Sequence, residues 1–221
     1  VFELLKPFAE VHVMSGHTHY AENNVYDSHY EHVHGAACGA WWNSTINVDG
    51  TPNGYAIYNI KGATITDWVY KGTGLDAQQQ IRLYRANDIF MRDYSKNYQF
   101  YYKGDDQIVA NVWNADKDWK IEVYENGIKT GEMTHFDYTG NEKDKSWDAW
   151  ALGYHIGVVG KAELDSNKKP TSYYQRNVHL YYYTLQSPTA SVEVRATDRF
   201  GTTFTQTKFT TGLAEDFPVG E

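Results

Sequence analysis

Residues 119–127 constrain the fold more than any other stretch. Trp119, Ile121 and Val123 alternate with Lys120, Glu122 and Tyr124, a period of two that puts an apolar set on one face of a strand and a polar set on the other. Asn126-Gly127 follows at once, and this dipeptide suits the left-handed backbone of a type I′ turn. A half-buried strand ending in a tight hairpin needs sheet neighbours. Residues 97–102, 107–113, 179–185, 191–196 and 203–209 read as strands, with Asp198-Arg199-Phe200-Gly201 as a turn before the last. The 19 Tyr and 7 Trp suit pleated, half-buried surfaces. About seven strands with turn signals between them predict an antiparallel β-sandwich, immunoglobulin-like in plan. It would occupy residues 75–221, with a frayed tail after about 212.

Residues 1–74 read differently. Residues 2–8 look like the end of a short helix and 9–14 like a short strand, followed by the polar loop Ser15-Gly16-His17-Thr18-His19. Helix, strand and polar loop make the last unit of an α/β arrangement, which cannot bury itself alone. Its sheet partners are expected upstream of Val1. Residues 29–37 read as a strand, and 55–60 with 63–70 as a hairpin joined at Lys61-Gly62. Lys71-Gly72-Thr73-Gly74 is the expected boundary. Residues 140–150, polar apart from Trp147 and Trp150, read as a loop or one helical turn. The fold class expected is mainly β: an α/β remnant followed by a β-sandwich.

With 41% hydrophobic and 22% charged residues the chain is globular in composition. Its net charge of −8 opposes binding to a nucleic-acid scaffold, without excluding a small phosphate ester near a metal ion. Cys38, the one cysteine, forms no intrachain disulfide, and its small apolar neighbours predict a buried thiol. No apolar run reaches membrane-spanning length. The start at Val1, inside an element, is expected to be artificial or proteolytic, with any targeting signal further upstream.

His17 and His19 are the residues most suited to chemistry. Imidazole is the commonest transition-metal ligand near neutral pH, and ligands in α/β folds collect at the carboxyl ends of strands. Gly16 is expected to let the backbone turn into the site, and two His at i and i+2 of an extended segment share a side. The bare pattern is weak, because His32 and His34 repeat it.

The wider string carries more. A strand followed by Ser15-Gly16-His17-Thr18-His19, then the small-residue segment from Gly35 to Trp42 and Asp49-Gly50-Thr51-Pro52-Asn53-Gly54-Tyr55, resembles the end of the catalytic domain of calcineurin-like metallophosphoesterases. The resemblance is to a bacterial branch that carries an extra C-terminal β domain, matched here by the segments 111–116 and 196–201. It implies a hydrolase in which two divalent metal ions (Mn, Fe, Zn or similar) clamp a phosphate ester and activate a water. It implies His17 and His19 as metal ligands. Trp41 and Trp42, which follow a small-residue strand, are read from the residues alone: one is a candidate for the active-site face near the substrate and the other for the core, with a structural role for the pair the preferred reading. The resemblance also implies that the remaining ligands lie in the catalytic half of the same polypeptide, upstream, in Asp-x-His, Gly-Asp and Gly-Asn-His motifs. Relatives in this branch are often exported, which makes an exported or periplasmic protein the expectation.

Asp27-Ser28-His29, Gly104-Asp105 and Gly140-Asn141-Glu142 imitate those motifs but follow the closing one, and read as surface or turn residues. No catalytic residue is therefore expected within the chain, which alone should be inactive and bind metal weakly if at all. His12 reads as a hydrogen-bonded strand residue, and His135, His155 and His179 have no ligand spacing. The alternative function is an aromatic-rich β-sandwich that binds a glycan or a cell-surface partner. Exposure of the Trp side chains discriminates the two, and burial is expected for most.

Overall fold

The computed structural model describes residues 2–88, 106–136, 147–163, 166, 172–173 and 177–212. The chain is mainly β. After a short helix α1 (Phe2–Leu5), strands β1 (Val11–Ser15), β2 (Glu22–Tyr26) and β3 (His29–Val33) form one sheet in the order β1-β3-β2. β1 and β3 run parallel, Val11 opposite His29, and β2 returns antiparallel through the turn at Asp27, whose φ is 54°. Strands β4 (Gly54–Lys61) and β5 (Thr64–Gly72) make the expected hairpin. Lys61 pairs with Thr64, so its loop is Gly62-Ala63, one residue later than expected.

The rest is an antiparallel sandwich of two four-stranded sheets. One is β10-β11-β7-β6 and the other β13-β12-β8-β9. Their strands are β6 (Ile81–Arg85), β7 (Gln107–Val112), β8 (Lys120–Glu125), β9 (Ile128–Glu132), β10 (Thr134–His135), β11 (Leu180–Thr184), β12 (Val192–Thr197) and β13 (Thr203–Gln206). Between the sheets, Leu83, Ile108 and Val112 meet Ile121, Val123, Val194 and Phe204. β8 alternates as expected, Ile121 and Val123 buried between half-exposed Glu122 and Tyr124. Glu125 pairs with Ile128, leaving Asn126 and Gly127 as a two-residue turn with φ of 51° and 81°, the signature of type I′.

A third layer covers the outer face of the β6–β7–β11 sheet. Helix α2 (Ala149–Gly157) lies there, and Trp150 and Tyr154 share one core with Tyr84, Val109, Trp113 and Leu180. Ile46 and Tyr70, from before Gly74, belong to the same core. β7 is consequently buried at every position. The loop or single helical turn expected up to Trp150 is here the start of a longer helix. Asp148 caps a nine-residue helix by accepting from the Ala151 N–H at 3.1 Å, and every residue from Ala149 to His155 is buried. An all-round buried helix shows no 3.6-residue polar alternation. β2 and β6 also escaped the sequence reading, and β3 stops at Val33 rather than Ala37. The strand expected at 97–102 and the tail after 212 lie outside the described residues. No helix among the described residues is long and apolar enough to cross a membrane.

Candidate functional site

β1 delivers the chain to Ser15, and the next four residues turn sharply. Gly16 does not take the strained geometry; His17 and His19 do, with φ of 78° and 60°. The segment is therefore not extended, and the two rings differ in environment. His17 is exposed, whereas His19 is 5% exposed. The Nδ1 of His19 lies 2.7 Å from the Gly39 carbonyl, and the Trp41 N–H is a longer 3.3 Å from the same nitrogen. A carbonyl accepts only, so the short contact calls for the ring hydrogen on Nδ1 and the lone pair on Nε2, whereas the Trp41 N–H would need Nδ1 as acceptor; the shorter contact favours the first tautomer. This is the usual arrangement behind a metal-binding imidazole.

Trp41 and Trp42 do converge on this ring. Trp41 stacks on His19 at 4.7 Å between ring centroids, 20° from parallel, and Trp42 meets it edge-on at 5.3 Å. Both occupy the left-handed region, with φ of 50° and 61°. The loop holding them is cinched at several points. The Ala40 N–H donates to Ile46 O at 2.8 Å and the Asn43 N–H to Ala40 O at 3.0 Å. The Asn43 amide donates to Trp41 O at 2.7 Å and to the Tyr173 hydroxyl at 3.1 Å. Ser44 Oγ is 3.0 Å from His155 Nε2, a ring that burial lowers to about 4 and so keeps neutral. Gly39, at φ 63°, has no room for a side chain: a Cβ would fall 1.9 Å from Ser44 O. Cys38 is only half-buried, less than expected, with its thiol 3.7 Å from Gly39 O.

The second His pair has a different fate. His32 Nε2 meets His12 Nδ1 at 2.9 Å and His32 Nδ1 meets Asn23 Oδ1 at 2.9 Å. His34 meets Ser15 O at 3.0 Å and the Tyr58 hydroxyl at 2.6 Å. Both nitrogens of both rings are engaged. Burial, helped by His12, His34 and Arg199, lowers His32 to about 4. His12, bonded also to Glu10 at 2.7 Å, is the hydrogen-bonded strand residue expected. Asp27 and Ser28 form the β2–β3 turn, while Gly104-Asp105 and 140–142 lie outside the described residues. Among the described residues, no three His, Cys, Asp or Glu side chains gather as a metal site.

A buried polar network was missed by the sequence reading. The Asp49 carboxylate, 1% exposed, accepts from the Ala21 N–H at 2.7 Å, the Thr51 N–H at 3.0 Å and the Thr51 hydroxyl at 3.0 Å, with His179 Nε2 at 3.1 Å. Its backbone carbonyl accepts from Asn111 at 2.9 Å and Asn177 at 2.7 Å. Asn111 also donates to Asp148 at 2.6 Å. Arg82 donates to Gly50 O and lies over the Trp150 ring, its guanidinium carbon 3.9 Å from the centroid. The only local signal was Asp49-Gly50-Thr51, the spelling of an Asx turn. The network fixes the loop that follows the Trp pair onto the sandwich.

The family described as the C terminal of calcineurin-like phosphoesterase matches residues 31–204. The match begins after His19 and runs on through Gly74 and both sandwich sheets. No curated protein and no solved structure matches the chain. Most of its length is thus accounted for by one family, and the chain belongs to the calcineurin-like phosphoesterases, contributing their C-terminal region.

Proposed function

We propose that this chain supplies the closing ligand segment and the C-terminal β domain of a metal-dependent phosphoesterase acting on phosphomonoesters or phosphodiesters. His17 and His19 each give one imidazole nitrogen to a pair of divalent metal ions. The observation carrying this reading is the Gly39 carbonyl 2.7 Å from His19 Nδ1, which leaves Nε2 as the ligating atom. Two imidazoles fit part of such a centre and not the whole, because paired hard-to-borderline cations require carboxylates as well. Those come from polypeptide outside the chain. When bound, the metal pair polarises the phosphoryl group and activates a water. The chain's own part is to fix the His19 tautomer and, through Trp41 and Trp42, to cover that ring.

Glycan binding by the sandwich itself is less favoured, because Trp113 and Trp150 are fully buried and Trp119 stacks on Phe204 at 5.7 Å.

The test follows His ring signals by NMR during Mn²⁺ titration, with aryl phosphate turnover measured in parallel. Paramagnetic broadening should reach His17 and His19 first, leave His32 and His34 sharp, and come without turnover. Broadening that starts at His32 or His34, or hydrolysis by this chain alone, would sink the proposal.

A further inference from the structure

Seven Trp stand in the chain, and their exposure divides them sharply. Trp68, Trp113 and Trp150 are buried, and Trp119 and Trp147 are half-buried. Trp41 and Trp42 alone are exposed, at 45% and 75%. They are sequence neighbours, both in the left-handed region, and both touch His19. Bulky residues at positive φ cost of order 1–3 kcal/mol each and persist only where the surroundings impose them. Here the Gly39–Ser44 approach, the Ala40–Ile46 bond and the Asn43 clasp impose them. A loop held this firmly displays its two largest apolar side chains to solvent beside the candidate ligand.

The geometry points to a binding platform for a planar ring: the Trp42 indole receives the flat aromatic face of the alcohol portion of the substrate, a nucleobase being the best fit. One face of Trp41 is already taken by His19, so the free stacking surface belongs mainly to Trp42. Recognition at this platform is by face rather than by hydroxyl pattern. The side-chain amide of Asn43, next in sequence to Trp42, spends both N–H groups on Trp41 O and Tyr173. A pyranose would need such donors for its hydroxyls, whereas an unsaturated ring needs only the π face. The link to a phosphate ester rests on the function proposed above; the platform itself does not.

Indole N–H signals of the ¹⁵N-Trp-labelled chain, assigned with Trp41→Phe and Trp42→Phe, provide the readout. Adenosine 5′-monophosphate and adenosine should each give a saturable ring-current shift at Trp42 and none at Trp113. Ribose 5-phosphate and methyl glucoside should give none. Trp42→Ala should weaken adenosine binding on the order of 10-fold while leaving the urea midpoint of the chain unchanged, since the side chain is three-quarters exposed. Equal shifts from ribose 5-phosphate, a response to the glucoside in place of adenosine, or unchanged adenosine affinity in Trp42→Ala would overturn the platform. The two proposals fail separately: Mn²⁺ broadening without adenosine shifts removes the platform alone, and adenosine shifts without His17 and His19 broadening remove the metal role alone.

Discussion

Replacing Asp49 by Ala should destabilise the whole chain, and the size of the loss follows from its partners. The carboxylate is 1% exposed and has four partners: the Ala21 N–H, the Thr51 N–H and hydroxyl, and His179 Nε2. Thr51 lies in the same turn and can relax towards other acceptors. Ala21, just before β2, and His179, just before β11, lie outside that turn; the Ala21 N–H would lose its acceptor, and His179 Nε2 would keep only the long 3.4 Å contact with the Thr51 hydroxyl. Stranding a buried donor costs roughly 2 kcal/mol, so the pair gives about 4 kcal/mol. In urea, with a slope near 2–3 kcal/mol/M for a chain of this size, the midpoint should fall by about 1.5 M. Asp49→Asn keeps the shape and one acceptor, and should cost about half as much.

The assay is urea unfolding followed by both Trp fluorescence and far-UV circular dichroism. Asp49 precedes the boundary expected at Gly74, and His179, Asn111 and Asn177 follow it. A single transition that moves as a unit is the predicted result, because Ile46 and Tyr70 lie in the core of Trp113 and Trp150. A loss below about 1 kcal/mol, smaller than one stranded donor, would refute the counting. A biphasic curve in which only the minor phase moves would refute the coupling and make residues 1–74 and 75–221 independent units.

Stability should fall as the pH is lowered. His32 and His155 are lowered from 6.5 to about 4, so the unfolded chain takes up these protons first. Their contribution is complete above about pH 6.5 and lost on descending to about pH 4, at most about 3 kcal/mol for each. Urea midpoints across that range should show the slope, and His32→Asn should flatten it; a profile identical to the parent's would contradict the burial argument. Gly39→Ala and Gly127→Ala test strain against strain plus clash. Gly127 has φ 81° with open space around a Cβ, and Gly39 has φ 63° with Ser44 O in the way. Gly127→Ala should cost about 1 kcal/mol, and Gly39→Ala at least ~2 kcal/mol more, with changed Trp fluorescence as the 39–46 loop reopens. Equal costs for the two would show that the loop yields freely.

What could be read from the sequence depended on how many faces each element buries. β8 was readable because one face packs and the other meets water, and its Asn126-Gly127 turn announces itself through backbone chemistry. β7 and α2 are covered all round, which erases the polar half of any period, so α2 gave no periodic signal beyond the loop or single helical turn expected up to Trp150. β6 buries Arg82 among apolar neighbours through its contacts with Gly50 and Trp150, partners that are invisible in the string Ile81-Arg82-Leu83-Tyr84. The Asp49 network joins residues 128 to 130 positions apart, and no local pattern encodes that. Trp spacing likewise says nothing of which Trp face solvent.

The two H-x-H pairs show why spacing alone misjudges a metal-ligand candidate. Extended geometry was the argument for His17 and His19, yet it is His32, in β3, and His34, just after it, that follow the extended path. Strand neighbours crowd them on both sides, and Asn23, His12, Ser15 and Tyr58 take up all four ring nitrogens. An imidazole in that state has no nitrogen to offer without breaking a bond in the core. His17 and His19 sit instead at positive φ in a turn after β1, outside the described strands. Among the described residues His19 is held through Nδ1 alone, and the carbonyl that holds it comes from Gly39, at the start of the loop that presents Trp41 and Trp42. What distinguishes a candidate ligand here is the count of uncommitted ring nitrogens, and the sequence discloses that count only through the larger string, since the Gly35-to-Trp42 segment is what brings the Gly39 carbonyl to the ring.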